Sequence, residues 1–345
     1  MSQHSYSTLI PAFYHAWKTG FYPDGLPLRR SYTGIVPLDL IFVAYGGFFG
    51  AAVDGNDEAT HQFCLWFLPQ LCTLLVFAYW EAGRARSGLI QSATLACILA
   101  QLLTAGAVLP YLLASHILNI PDTPKFLQPD APNRARTIFM AVLFGYLAPS
   151  LALIFPPPGI SLDGVQIISA IWQPFPLYIL VIWYFLRAVD SSIMPKIKGD
   201  ESRQVLVCMK RSYAACALLS AASHLAVFLP SLVTTDPSRS FANVFIPYWM
   251  HSYLPIDLPA EPIAAYRPCG RLLFWHDWLI MTVAAVVFFA RSRAISQHAS
   301  VQSSLKRWIA HMVLIAMGGG PGAAVAWAAM EREERIALVQ EVKQA

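Results

Sequence analysis

The chain has 345 residues and a formal net charge of +4; only 13% of its residues are charged and 56% are hydrophobic. Mean hydropathy is +0.49. A soluble domain carries about 25% charged residues, so an ordinary soluble globule is excluded. The basic residues sit between apolar runs, where they read as topology signals and snorkelling anchors rather than as a nucleic-acid footprint.

Taken in chain order, the first 32 residues lack a basic stretch followed by an apolar core and a small-residue cleavage site, so they do not read as a signal peptide. Leu9, Ile10, Phe13 and Trp17 form a helical stripe. It suits a helix lying in the membrane interface; a partly ordered tail is the alternative. Eight runs of about 20 apolar residues follow, each long enough to cross a bilayer: 34–53, 62–81, 89–109, 137–155, 166–186, 211–229, 272–290 and 308–329. The expected fold is therefore all-α, a polytopic bundle of about eight transmembrane helices in one membrane domain. It spans 33–330, with an N-terminal tail or interfacial helix over 1–32 and a charged, solvated C-terminal tail over 331–345.

The connections carry turn and charge signals. "DGNDEAT" (54–60) is acidic, "PPPG" (156–159) is a turn, and "DSSIMPKIKGDESR" (190–203) is charged. The longest connection, 230–271, has no clear period, and a segment of that length suits a lid or cap. Breakers fall inside several runs: Pro149, then Pro174 and Pro176, then "GGGPG" (318–322). In lipid, freed backbone groups must be satisfied by protein or cavity water, so these imply an interior with shape. Gly46 and Gly50 allow close helix contact in the first run. The six cysteines contain no C-x-x-C, and five fall in apolar runs, where a thiol behaves as a small hydrophobe. Basic residues divide almost evenly between the two faces, so orientation stays open; the expected setting is the endoplasmic reticulum membrane.

Charge at membrane depth is expensive, and each instance needs an account. Asp39 opens the first run, Glu81 closes the second, His224 is near the end of the sixth, and His276 and Asp277 open the seventh. If successive runs each cross once, all five fall on one face, together with Trp172. Each has a plain structural reading beside the functional one. Glu81 pairs naturally with Arg84, three residues on. Asp39 is a favourable helix-start charge, Asp277 can be a boundary residue, and a lone histidine is commonly a hydrogen-bonded core group. Tyr79, Trp80, Trp275 and Trp278 flank the two central acids, although tryptophan and tyrosine also mark any membrane interface.

No H-E-x-x-H or H-x-x-x-H lies on a run, so no metal site is expected. Aspartate-rich magnesium motifs are absent, which argues against diphosphate ionisation; so are a G-x-S-x-G elbow and D-x-D-D. No cofactor is expected. Glu81 and Asp277 remain as separate carboxyls among aromatics. Burial without a counter-charge keeps a carboxyl protonated, so one suits a general acid and the other a base or an orienting group. Aromatic faces stabilise developing positive charge.

"FAYWEAGR" at the close of the second run and "LFWHDWL" at the opening of the seventh resemble the paired acid positions of fungal membrane-bound meroterpenoid terpene cyclases. In size the chain is similar to the ascochlorin- and ascofuranone-pathway cyclases, and more distantly to the smaller pyripyropene-type cyclases. The resemblance implies that a carboxylic acid protonates a terminal epoxide on a prenyl chain, such as an epoxy-prenyl phenol. The cation then cyclises and is quenched by an internal oxygen or by proton loss. It carries Glu81 and Asp277 over as acid/base candidates, without saying which donates the proton; the extra span and the long loop depart from the smaller group. Two other classes stay open on the residues alone: a sterol or lipid isomerase or binding protein of the emopamil-binding type, and a transporter or scaffold. The expected partners are a lipophilic small molecule and membrane lipid, with no nucleic acid.

Overall fold

A computed structural model describes residues 14–22, 25–84, 92–119, 130–193, 200–246, 266–295 and 301–344. Among these residues the regular structure is helical, apart from one isolated bridge between Phe21 and Pro27. The helices are α1 (Val36–Val53), α2 (Glu58–Ala82), α3 (Ala93–Leu103), α4 (Ala105–Asn119), α5 (Ala131–Ile154), α6 (Leu162–Trp172), α7 (Phe175–Ile193), α8 (Glu201–Val233), the short α9 (Phe241–Phe245), α10 (Tyr266–Ile295), α11 (Val301–Gly319) and α12 (Pro321–Gln344).

By length and composition, α2, α5, α8 and α10 are apolar enough to cross a membrane, and the bent pair α6–α7 would make a fifth crossing. Their outer faces agree with that reading. On α8, Leu218, Leu225, Leu229 and Leu232 recur at helical spacing and are all exposed, a stripe suited to lipid rather than water.

The all-helical expectation holds; of the about eight crossings expected, the described residues supply four by length and composition, or five with the bent pair. Two of the eight runs reverse on themselves. Tyr79 Oη lies 3.0 Å from Thr94 Oγ1, and Glu81 Oε2 lies 2.7 Å from His116 Nε2. A straight helix from 94 to 116 would be about 33 Å long, yet both ends meet one turn of α2. The reversal falls at Thr104, which has φ 88° and ψ 146°, and α3 packs on α4. Similarly, Trp308 Nε1 donates to Glu331 Oε2 at 2.5 Å, and the Trp308 and Trp327 rings are 6.0 Å apart. "GGGPG" is therefore the turn between α11 and α12, not a kink inside a span. Hydropathy alone does not register such a reversal, because both arms of a hairpin are apolar.

The described residues cluster in two compact units. The first draws on Met1–Trp66, Ala148–Pro174 and Ala226–Asp277; the second on Phe67–Leu147, Phe175–Leu225 and Trp278–Ala345. In the first unit the N-terminal segment is packed: Ala16, Tyr22, Leu28 and Val43 are buried together, with Trp17 against them. Residues 1–13, and with them Leu9, Ile10 and Phe13, lie outside the described residues, as does 247–265 of the long loop.

In the second unit α5 packs along α7. Its turn at Leu143–Leu147 is a π-helix. Pro149 brings no N–H to the carbonyl four residues back, and the helix widens there. A Cβ on Gly145 would lie 2.6 Å from the Ile179 backbone nitrogen, so only glycine allows this approach. The α11–α12 turn is held from α2 and α8. Gln70 Oε1 accepts from Gly322 N at 2.7 Å, and Gln70 Nε2 donates to the Ser220 carbonyl at 3.1 Å and to Ser223 Oγ at 3.2 Å. Thr73 Oγ1 donates to the Gly322 carbonyl at 3.1 Å. These side chains satisfy backbone groups that a turn leaves open, which an apolar surrounding requires.

Candidate active site

At the C-terminal end of α2, in the second unit, Glu81, Arg84, His116, Arg332 and Glu333 meet. Arg332 grips Glu81 with two parallel bonds, Nη1 to Oε1 at 2.9 Å and Nη2 to Oε2 at 3.0 Å. Arg84 Nη1 adds a third bond to Oε1 at 2.7 Å, and His116 Nε2 a fourth to Oε2 at 2.7 Å. Arg84 also pairs with both carboxylate oxygens of Glu333. No side chain in the Glu81–Arg84–Arg332 core is more than 3% exposed, so these charges meet out of water. Such groups tolerate burial only when each is paired and hydrogen-bonded.

Glu81 is therefore not the uncompensated buried acid that the residue pattern allows. A carboxylate has about four lone-pair sites, and here four donors fill them. The contact with Arg84, three residues on, is the plain reading of this motif. Arg84 lies just past the end of α2. Burial works against its charge, but the carboxylates of Glu333 and Glu81 overcome that and push its pKa up.

Aromatic faces line the same charges. The Arg84 guanidinium lies 5.0 Å from the Trp80 ring centre. Arg332 lies 5.7 Å from both Phe77 and Phe288, and His116 stacks on Phe288 at 5.7 Å with an interplanar angle of 11°. Tyr79 donates to the Pro176 carbonyl at 3.3 Å. Trp80 Nε1 and Tyr213 Oη are buried with no hydrogen-bond partner among the described residues. Buried polar atoms of this kind ask for a partner.

The other sequence candidates lie elsewhere. Asp39 caps the N-terminal loop in the first unit. Its oxygens accept from the backbone of Tyr32, Thr33 and Gly34 and from the hydroxyls of Ser31 and Thr33, at 2.7–3.1 Å. That is a structural employment for the whole carboxylate. His276 bonds the Leu272 carbonyl at 2.8 Å within its own helix. Trp172 donates to Ser150 Oγ at 2.8 Å, and Trp275 to the Phe245 carbonyl at 2.9 Å. Asp277 is half-buried on α10 in the first unit, while Trp278 begins the next segment of the second. His224, in the second unit, bonds the Met317 carbonyl at 3.1 Å beside the α11–α12 turn.

The structure thus brings Tyr79, Trp80 and Glu81 together and leaves Glu81 and Asp277 in different units. A cavity of about 500 Å³ in the first unit is lined by Val53, Gly55, Glu58, His61 and the 154–158 segment. Its polar groups are engaged: Glu58 by Gln62 and Arg239, His61 by the Ile154 carbonyl. Among the described residues no three potential metal ligands converge.

Arg332, Glu333 and His116 are absent from the sequence candidates. The tail beyond Glu331 reads as solvated because of its charge, yet Arg332 is 2% exposed and Glu333 0%. A signal was present. Ala328, Ala329, Ile336 and Ala337 are buried, and the charged pair lies on their helical stripe at spacings of three and four.

The CtvD domain model matches residues 11–337, nearly the whole chain. The chain belongs to the CtvD domain family. Among curated relatives of this family member, terpene cyclase ascI of Acremonium egyptiacum is 25% identical over 248 residues, covering 69% of this chain and 63% of that protein. The chain thus spans just under two thirds of that relative. Terpene cyclase DEP1 of Alternaria brassicicola is 24% identical over 351 residues, 92% of this chain and 90% of the relative. Terpene cyclase penA of Penicillium crustosum is 24% identical over 281 residues, 77% and 72% respectively. No solved structure matches.

Proposed function

We propose that this family member is a membrane-bound terpene cyclase of fungal meroterpenoid secondary metabolism. In this reading it works as a multi-pass protein of the endoplasmic reticulum. Its substrate is an epoxidised prenyl chain of the farnesyl type on a phenol-like head group. The observation that carries the reading is the near full-length family match, with relatives that bear the name terpene cyclase.

The chemistry follows from the groups present. A carboxylic acid protonates the epoxide oxygen, the C–O bond opens, and double bonds of the chain close rings on the resulting cation. Loss of one proton ends the sequence, so product and substrate are isomers. Asp277 is the proton donor in this reading. Glu81, gripped by Arg84 and Arg332, serves the later step in which the proton is lost. Aromatic faces such as Trp80 and Phe288 stabilise positive charge nearby. The test is incubation of microsomes carrying the chain with an epoxidised farnesyl-phenol. An isomeric product that disappears in both Glu81→Gln and Asp277→Asn supports the assignment. Unchanged product in both variants, at matched protein levels, refutes it.

A further inference from the structure

We propose that His116 is the base that takes up the proton ending the cyclisation, with Glu81 as its positioning residue. This rests on the terpene cyclase reading above. Three features of the second unit carry it. First, the Glu81 carboxylate is fixed by two guanidinium groups and only accepts hydrogen bonds, so the His116 nitrogen facing it at 2.7 Å, Nε2, carries the proton. Second, the surrounding charges already balance: Glu81 and Glu333 against Arg84 and Arg332. The cluster therefore needs no charge on the imidazole, and a ring that donates through Nε2 alone leaves Nδ1 as its lone-pair nitrogen. Third, among the described residues Nδ1 has no hydrogen-bond partner, and the ring is locked by stacking on Phe288. A neutral imidazole whose far nitrogen donates to a fixed carboxylate is a general base with its tautomer preset.

The step balances without a further reactant. A C–H bond next to the final carbocation breaks, and its electron pair becomes the new C=C bond. The proton bonds to Nδ1, and the imidazolium formed is paired with Glu81 through Nε2–H. The ring returns the proton to solvent before the next turnover. The Phe288 face and the guanidinium-backed carboxylate hold the ring still while its charge changes. The ligand class implied for this part of the site is the apolar, positively charged end of the cyclised chain rather than its phenolic head.

The test is product partition with an epoxidised farnesyl-phenol in His116→Gln and His116→Asn. Glutamine keeps a donor for Glu81 but has no basic nitrogen. The expected result is a fall in alkene formation of about a hundredfold or more, with oxygen-captured or shifted-alkene products replacing the wild-type isomer. A folded variant that gives the wild-type isomer in its usual share overturns the proposal. Folded variants that consume no substrate also overturn it, because His116 would then act before the cation forms. A silent wild type is a different outcome: it removes the cyclase reading itself, and this inference with it. If neither variant folds, ring ¹⁵N spectra of the histidine-labelled wild type decide. A neutral His116 with its proton on Nε2 supports the assignment; an imidazolium or an Nδ1–H tautomer overturns it.

Discussion

Arg332 offers the sharpest test of the buried cluster. Arg332→Met keeps much of the side-chain volume and removes the guanidinium. Two bonds to Glu81, at 2.9 and 3.0 Å, disappear between groups that are 2% and 1% exposed. Breaking a buried pair from one side costs about 3–5 kcal/mol, because the other charge stays behind. Glu81 retains Arg84 and His116, so the lower end, about 3 kcal/mol, is expected. The variant also leaves two carboxylates against one guanidinium. Glu81→Gln/Arg332→Met restores the balance through the remaining Arg84–Glu333 pair. The double variant should therefore regain about 2 kcal/mol relative to the sum of the singles, within the range for residues in contact. Unfolding of the purified protein in mild detergent, followed by denaturant titration, reads all four proteins of the cycle. A coupling below about 0.5 kcal/mol, the level of independent sites, would refute the account of Arg332 as the partner of Glu81.

Four further outcomes are expected. Glu81→Gln and Asp277→Asn should each lower turnover by about a hundredfold or more, read as isomeric product from microsomes at matched expression. Gly145→Ala should destabilise by about 1–3 kcal/mol in the same detergent titration, since its Cβ meets the Ile179 backbone at 2.6–2.7 Å. Thr104→Gly should stabilise by about 1 kcal/mol, because φ 88° and ψ 146° is a conformation that costs a side-chain-bearing residue about 1–3 kcal/mol. Gln70→Leu should cost about 1–3 kcal/mol by leaving the buried Gly322 N–H unpaired; a thermal midpoint equal to wild type would refute the role given to the Gln70 network.

The helical character was legible because apolar runs of membrane length leave no other economical way to satisfy the backbone. The contact of Glu81 with Arg84 was legible too, being local and at helical spacing. The reversals at Thr104 and Gly320 were harder to read. Thr104 carries none of the usual turn chemistry, and "GGGPG" suits a kinked span as well as a hairpin. Arg332, Glu333 and His116 were out of reach for a different reason. They meet Glu81 across long stretches of chain, and their charges pointed to solvent unless weighed against the buried alanine stripe around them. Asp39 was recognisable as a helix-start charge, but the loop it ties was not.

The long separation within the Glu81 cluster has a consequence for biogenesis. Arg332 follows Glu81 by 251 residues, and synthesis at about 5–20 residues per second places their appearance about 12 to 50 s apart. During that interval α2 is made while half of its counter-charge does not yet exist. Arg84, arriving within a second, gives Glu81 an immediate local neutraliser, and Glu333 later takes up the other edge of the same guanidinium. Local pairing first and exchange into the long-range network afterwards would let an acidic helix end wait at the membrane without a chaperone for its charge. The Arg84 position is thus as much a safeguard for the nascent chain as a member of the finished site.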